Sequence, residues 1–172
     1  MSKTESPKII FVEDDPDQLD LLLQFALDEI SKLHDGENTN AEQKQMLSNI
    51  KLLKVTNLRS LQQAVSKYQD VFLTVLDCNI PDVKGGISND QLMKTNHRIN
   101  GRHQGVEIVI ESLPDTPITL ISSLDRFKRI VYAHYASDDK IDITFISKND
   151  QEMIQRNIAY YLRRYIRRDC SE

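Results

Sequence analysis

The sequence predicts an α/β fold: a doubly wound, five-stranded parallel sheet with helices on both faces. Three observations carry this. Short apolar runs of strand length alternate with longer segments whose apolar residues recur at helical spacing. The short runs are almost uninterruptedly apolar, as strands covered on both faces are. Two of them, Lys8-Ile9-Ile10-Phe11-Val12 and Val71-Phe72-Leu73-Thr74-Val75-Leu76, stop abruptly at acids, Glu13-Asp14-Asp15 and Asp77.

The elements follow in order. Ile9 to Val12 is the first strand. Pro16 and Asp17 start a helix that runs to Leu33, with Leu19, Leu22, Leu23, Ala26, Leu27 and Ile30 at helical spacing. His34 to Asn40 is a polar loop, and Ala41 to Asn49 is either extra helix or a mobile segment. Leu52 to Thr56 is the second strand, with Leu53 and Val55 sharing a face. Leu58 to Tyr68 is the second helix, marked by Leu58, Leu61, Ala64 and Val65. Val71 to Leu76 is the third strand. Asp82 to Gln104 is polar and holds three of the five glycines. Connections of that length are usually functional or disordered. Gly105 to Ser112 is a short helix, Pro117 to Ser122 the fourth strand and Arg126 to Ala136 a helix. Ile141 to Ile146 is the fifth strand, ending at Ser147-Lys148. Asp150 to Arg168 is the last helix, with Ile154, Ile158, Tyr161, Leu162 and Tyr165 on one side. Right-handed crossovers between such elements give a doubly wound sheet. The expected strand order is flavodoxin-like, 2-1-3-4-5.

Composition bounds the function. The 172 residues suit one domain, 1–172, with insertions near 35–49 and 86–104. A net charge of -4 argues against general binding to nucleic acid or anionic membranes. The two cysteines are Cys78, in a buried position, and Cys170. No disulfide is expected, and a reducing cytoplasm is the default. The N-terminal MSKTESPK lacks the apolar core of a signal peptide, and no apolar run approaches a membrane span.

Carboxylates closing apolar strands are costly unless they converge on positive charge. In open parallel sheets the carboxyl ends of the strands are where ligands bind. Glu13, Asp14 and Asp77 therefore read as a pocket for a hard divalent cation, Mg²⁺ first among them. Asp15 and Asp17 read instead as caps of the following helix. His97 and His103 lack acidic or cysteine partners at ligand spacing and read as solvated loop residues. Arg163, Arg164, Arg167 and Arg168 suit the dipole at a helix C-terminus better than a nucleic-acid patch.

Four motifs, each closing a strand and in this order, resemble the receiver domain of two-component response regulators. They are Val12-Glu13-Asp14, Asp77-x-Asn79-x-Pro81, Ile121-Ser122-Ser123 and Phe145-x-x-Lys148. The resemblance implies that Asp77 is the phosphoacceptor. It implies that Asp14 and Asp77 ligate Mg²⁺ directly, Glu13 through water, and Asn79 through its backbone carbonyl. Lys148 and Ser122 would bind phosphoryl oxygens, and Phe145 would be the aromatic switch residue. It further implies a non-enzymatic signalling protein in the cytoplasm, a phosphoacceptor that assists its own phosphorylation and dephosphorylation. Its partners would be a histidine kinase or histidine phosphotransferase protein and a downstream protein, with neither nucleic acid nor membrane. A homodimer would form through the face made by the fourth helix, fifth strand and fifth helix, where Tyr132, Tyr135, Tyr161 and Tyr165 suit an interface.

The sequence also departs from the family. Asn149 stands where a proline usually follows the lysine. Gly85 matches the usual glycine after the phosphoacceptor, yet the Gly-x-Glu helix start is Gly105-Val106-Glu107, about twenty residues later than usual. The intervening loop carries Lys94, His97, Arg98, Arg102 and His103 against Asp90, and reads as a lid or as decoration. Two other functions compete: an interaction module independent of phosphorylation, and a Mg²⁺-dependent aspartyl phosphohydrolase. The second is disfavoured because Asn79 cannot act as the acid that such enzymes place two residues after the nucleophile.

Overall fold

A computed structural model describes residues 6–80, 103–123, 131 and 133–168. The expectations for Pro81, Gly85, the 86–102 part of the long loop, Tyr132, Cys170 and most of the helix begun at Arg126 lie outside the described residues.

The element order is β1 (Lys8–Val12), α1 (Pro16–Asp35), α2 (Ala41–Ser48), β2 (Lys51–Val55), α3 (Leu58–Lys67), β3 (Val71–Asp77), α4 (Gln104–Ser112), β4 (Ile118–Ser122), β5 (Ile143–Ser147) and α5 (Gln151–Arg168). Val131 and residues 133–135 are helical as well, between β4 and β5. All neighbouring strands pair parallel, in the order β2-β1-β3-β4-β5. This is the order expected from the sequence.

Side chains on a strand alternate between faces, and here both faces are buried. On β1, Ile9 and Phe11 enter one core cluster, with Leu22, Leu23 and Ala26 of α1 and Ile158 and Leu162 of α5. Ile10 and Val12 enter the other, with Leu61 and Val65 of α3 and Val106 and Val109 of α4. A strand buried on both sides must be apolar throughout, which is why β1 and β3 read as continuous runs. The exceptions inside the buried strands are small, Thr74 on β3 and Thr119 on β4, whose hydroxyl donates to Asn157 Oδ1 of α5 at 2.5 Å.

Residues 41–48 are helix rather than a mobile segment. Asn40 and Gln43 form a reciprocal capping box, and Leu47 is buried. The helix packs beside α1 and α5 and reaches α5 through Gln43 Nε2, which donates to Ile166 O at 3.5 Å. The fifth strand begins at Ile143, not Ile141, because the Ile141 N–H closes a turn onto Asp138 O.

Candidate functional site

The acids, Ser122 and Lys148 stand at or just beyond the ends of strands whose core location fixes them. At the end of β1, the Glu13 N–H still donates to Val55 O at 3.0 Å, which continues the ladder by one residue. Glu13 is thereby fully buried, while Asp14, next along, is exposed. Asp15 turns away and caps α1, accepting from Asp17 N and Gln18 N. Its capping role is the one expected.

Asp77 closes β3 opposite Ile121 of β4, and the Cys78 N–H donates to Ile121 O at 2.9 Å. Ser122, the next residue on β4, is buried at the same end of the sheet and pairs in register with Ser147 of β5. The Lys148 N–H donates to Ser122 O at 2.9 Å, carrying the lysine back over that end. Lys148 Nζ then lies 3.1 Å from Asp77 Oδ2 and 2.7 Å from Glu13 Oε2.

Glu13, Asp14 and Asp77 each offer an oxygen, and these oxygens lie within 4.8 Å of one another. One ammonium does not satisfy the buried acids. Asp77 Oδ1 and Asn79 Oδ1 have no hydrogen-bond partner, and Glu13 Oε2 meets Lys148 as an ion pair rather than a directed hydrogen bond. Unpaired buried polar atoms are costly, so the pocket has unused capacity for a cation. Burial, then the charge of Asp77, pushes the Glu13 carboxyl up to about 7. Burial raises Asp77 also, against the pull of Lys148. For Lys148 burial disfavours the ammonium, but Asp77 and Glu13 outweigh it and hold its pKa above the ordinary value. An oxygen-rich, acid-dominated pocket of this kind fits a hard divalent ion.

Of the residues singled out in the sequence, Glu13, Asp14, Asp77 and Lys148 converge directly. Asn79 follows them, half-buried, and its backbone N–H favours the charged form of the Asp77 carboxylate. Phe145 lies on β5 opposite Leu120, half-buried against the α3–α4 face of the core. Cys78 is buried, and burial pushes its thiol far up, so it is a packing residue and not a nucleophile.

Two readings are corrected. His103 is not a solvated loop residue: it is 1% exposed and caps α4, its Nδ1 accepting from Val106 N. Nothing in the sequence announces this: histidine is not among the usual N-cap residues, and the helix begins at Gln104, one residue before Gly105. The tyrosines read as interface residues are largely engaged within the fold. Tyr135 and Tyr161 are buried, and Tyr165 stacks on Phe72 at 4.4 Å between centroids. Their hydroxyls and rings serve internal packing, as with Tyr161 Oη donating to Asp142 at 2.9 Å.

No family model matches the chain, and no curated protein sequence does. Solved structures do. A signal receiver domain from Vibrio parahaemolyticus is 18% identical with a TM-score of 0.54, covering 96% of this chain and 97% of that one. A CheY-like response regulator receiver domain from Methanospirillum hungatei is 12% identical with a TM-score of 0.53, covering 92% and 94%. A response regulator receiver domain from Bacillus halodurans is 12% identical with a TM-score of 0.51, covering 90% and 96%. At such identities the shared property is the fold: this chain folds as the receiver domains of response regulators do.

Proposed function

We propose that the protein is a response regulator that accepts a phosphoryl group on Asp77 in a Mg²⁺-dependent reaction. One observation carries the reading. Three acids from the ends of β1 and β3 converge within 4.8 Å, with Lys148 Nζ 3.1 Å from the Asp77 carboxylate. Asp14, Asp77 and the Asn79 carbonyl would hold the ion, with Glu13 through water. When bound, Mg²⁺ supplies charge neutralisation for acids and phosphoryl oxygens alike.

The protein's own groups do the rest. An Asp77 oxygen attacks phosphorus, the bond from phosphorus to the donor atom breaks (imidazole nitrogen in a phosphohistidine, acyl oxygen in acetyl phosphate), and that atom departs with the electron pair. An acyl phosphate remains on Asp77. Lys148 exchanges its carboxylate contact for a phosphoryl oxygen and offsets the added charge. Ser122, one residue beyond the strand partner of Asp77, donates its hydroxyl to another oxygen. Phosphorylation then biases Phe145 and the β4 end, and the signal passes to a protein partner across the face containing β5 and α5. A histidine kinase or histidine phosphotransferase protein supplies the phosphoryl group.

Acetyl phosphate with Mg²⁺ should add one phosphoryl mass to the wild type, and none with chelator or in Asp77→Asn. An equal gain in Asp77→Asn would reject the assignment.

A further inference from the structure

His103 is separated in sequence from the acids, yet its imidazole is set between the end of β3 and the start of α4. Nδ1 accepts from Val106 N at 3.3 Å, so the ring proton is on Nε2. Nε2 therefore donates to Cys78 O, 2.8 Å away. The Cys78–Asn79 peptide is planar and trans, so its carbonyl and N–H point in opposite directions. A carbonyl aimed at His103 aims the Asn79 N–H the other way, and the Asn79 N–H favours the charged form of the Asp77 carboxylate. Tyr135 fixes the histidine from behind: its hydroxyl accepts from His103 N at 2.9 Å and donates to Glu107 Oε1 at 2.6 Å. Gly105 makes the fit possible. A Cβ there would come within 2.9 Å of Leu76 Cδ2 and 3.2 Å of His103 Cε1.

We infer that His103 is a positioning residue for the Asp77 site: it clamps the Cys78–Asn79 peptide, and Tyr135 ties that clamp to the helix between β4 and β5. The inference rests on the phosphoacceptor reading for its consequence, but the clamp itself is a structural arrangement. The peptide it orients presents a donor to the Asp77 carboxylate and leads into the Asn79 carbonyl. Releasing the clamp lets the peptide rotate and loosens both. Groups that orient metal ligands typically change affinity or activity by about 10–100-fold when removed.

Two substitutions separate capping from clamping. His103→Asn keeps a good helix cap but is too short to reach Cys78 O. His103→Gln places a donor near the Nε2 position and gives up the cap. Four readouts apply: thermal midpoint, the Asn79 amide resonance, Mg²⁺ affinity, and the phosphorylation rate constant at saturating acetyl phosphate and Mg²⁺. His103→Asn keeps the cap but orphans the Cys78 carbonyl, so its thermal midpoint should fall no further than that of His103→Gln, while the Asn79 amide shifts and rate constant and Mg²⁺ affinity drop about tenfold or more. His103→Gln should recover most of both despite a lower midpoint. The clamp is overturned if His103→Asn keeps wild-type rate, Mg²⁺ affinity and amide position, or if losses in both variants simply follow stability. If the wild type takes up no phosphoryl group, the phosphoacceptor reading fails. The amide shift and Mg²⁺ affinity still decide the clamp.

Discussion

Among single residues, the acids after β1 divide into two kinds of work. Asp14 faces the pocket and Asp15 caps α1, although both are exposed and adjacent. Asp14→Ala should therefore weaken Mg²⁺ binding at least tenfold, a loss comparable to removing a direct contact to the ion. Asp15→Ala should leave Mg²⁺ affinity unchanged and cost about 0.5–2 kcal/mol of stability through the lost cap. Metal titration and denaturant unfolding on the two variants check both halves. Glu13 adds a pH dependence. Its carboxyl titrates near 7 because burial, then Asp77, disfavours its charge. A proton on Glu13 removes negative charge from the pocket, so Mg²⁺ affinity should fall as pH drops through about 7, and recover above it. Glu13→Gln should flatten that dependence; an equally steep profile in the variant would assign it elsewhere. These acids were legible in the sequence because a fully buried parallel strand tolerates no carboxylate within it. His103 was not. Its burial arises from contacts with Cys78 and Tyr135, 25 and 32 residues away, and a histidine in a polar run carries no periodic trace of them.

The elements were legible wherever both core faces demanded apolar residues, as in β1, β3, α1 and α5. Residues 41–49 were ambiguous because AEQKQMLS exposes most of its surface and buries one large side chain, Leu47. That residue decides the matter. Leu47→Ala should destabilise the protein by about 2–5 kcal/mol, the usual cost of emptying a buried leucine site. Urea unfolding measures it, and a loss below about 0.5 kcal/mol would mean that α2 does not share the core, since surface substitutions fall in that range. The tyrosines show the opposite failure. Helical spacing put Tyr161 and Tyr165 on one side of the last helix, but spacing alone does not say whether an amphipathic ring faces a partner or its own sheet. The large apolar side chains exposed among the described residues of α5 are Met153 and Tyr160.

Across the whole molecule, strand order was readable because β–α alternation and crossover handedness leave few topologies. The site follows from that order: β1 and β3 are neighbours, and β4 and β5 extend the same edge, so four strand ends present their acids, hydroxyl and lysine together. Among the described residues no helix is long and apolar enough to cross a membrane. The inserted segment cannot be excised through residue 103 without removing a buried cap, so a Gly-Ser replacement of 87–103 should destabilise the fold more than one of 87–102, which keeps His103. Signalling across β5 and α5 should appear as altered amide exchange there when a stable phosphoryl mimic is added; change confined to other elements would reject that face. The most direct measurement is chemical identification of the phosphorylated residue. Borohydride reduces an aspartyl acyl phosphate to homoserine, which peptide mass spectrometry locates. After acetyl phosphate and Mg²⁺, homoserine should appear at position 77 alone. Homoserine at another aspartate, or none at 77 despite a gain in protein mass, would contradict the account.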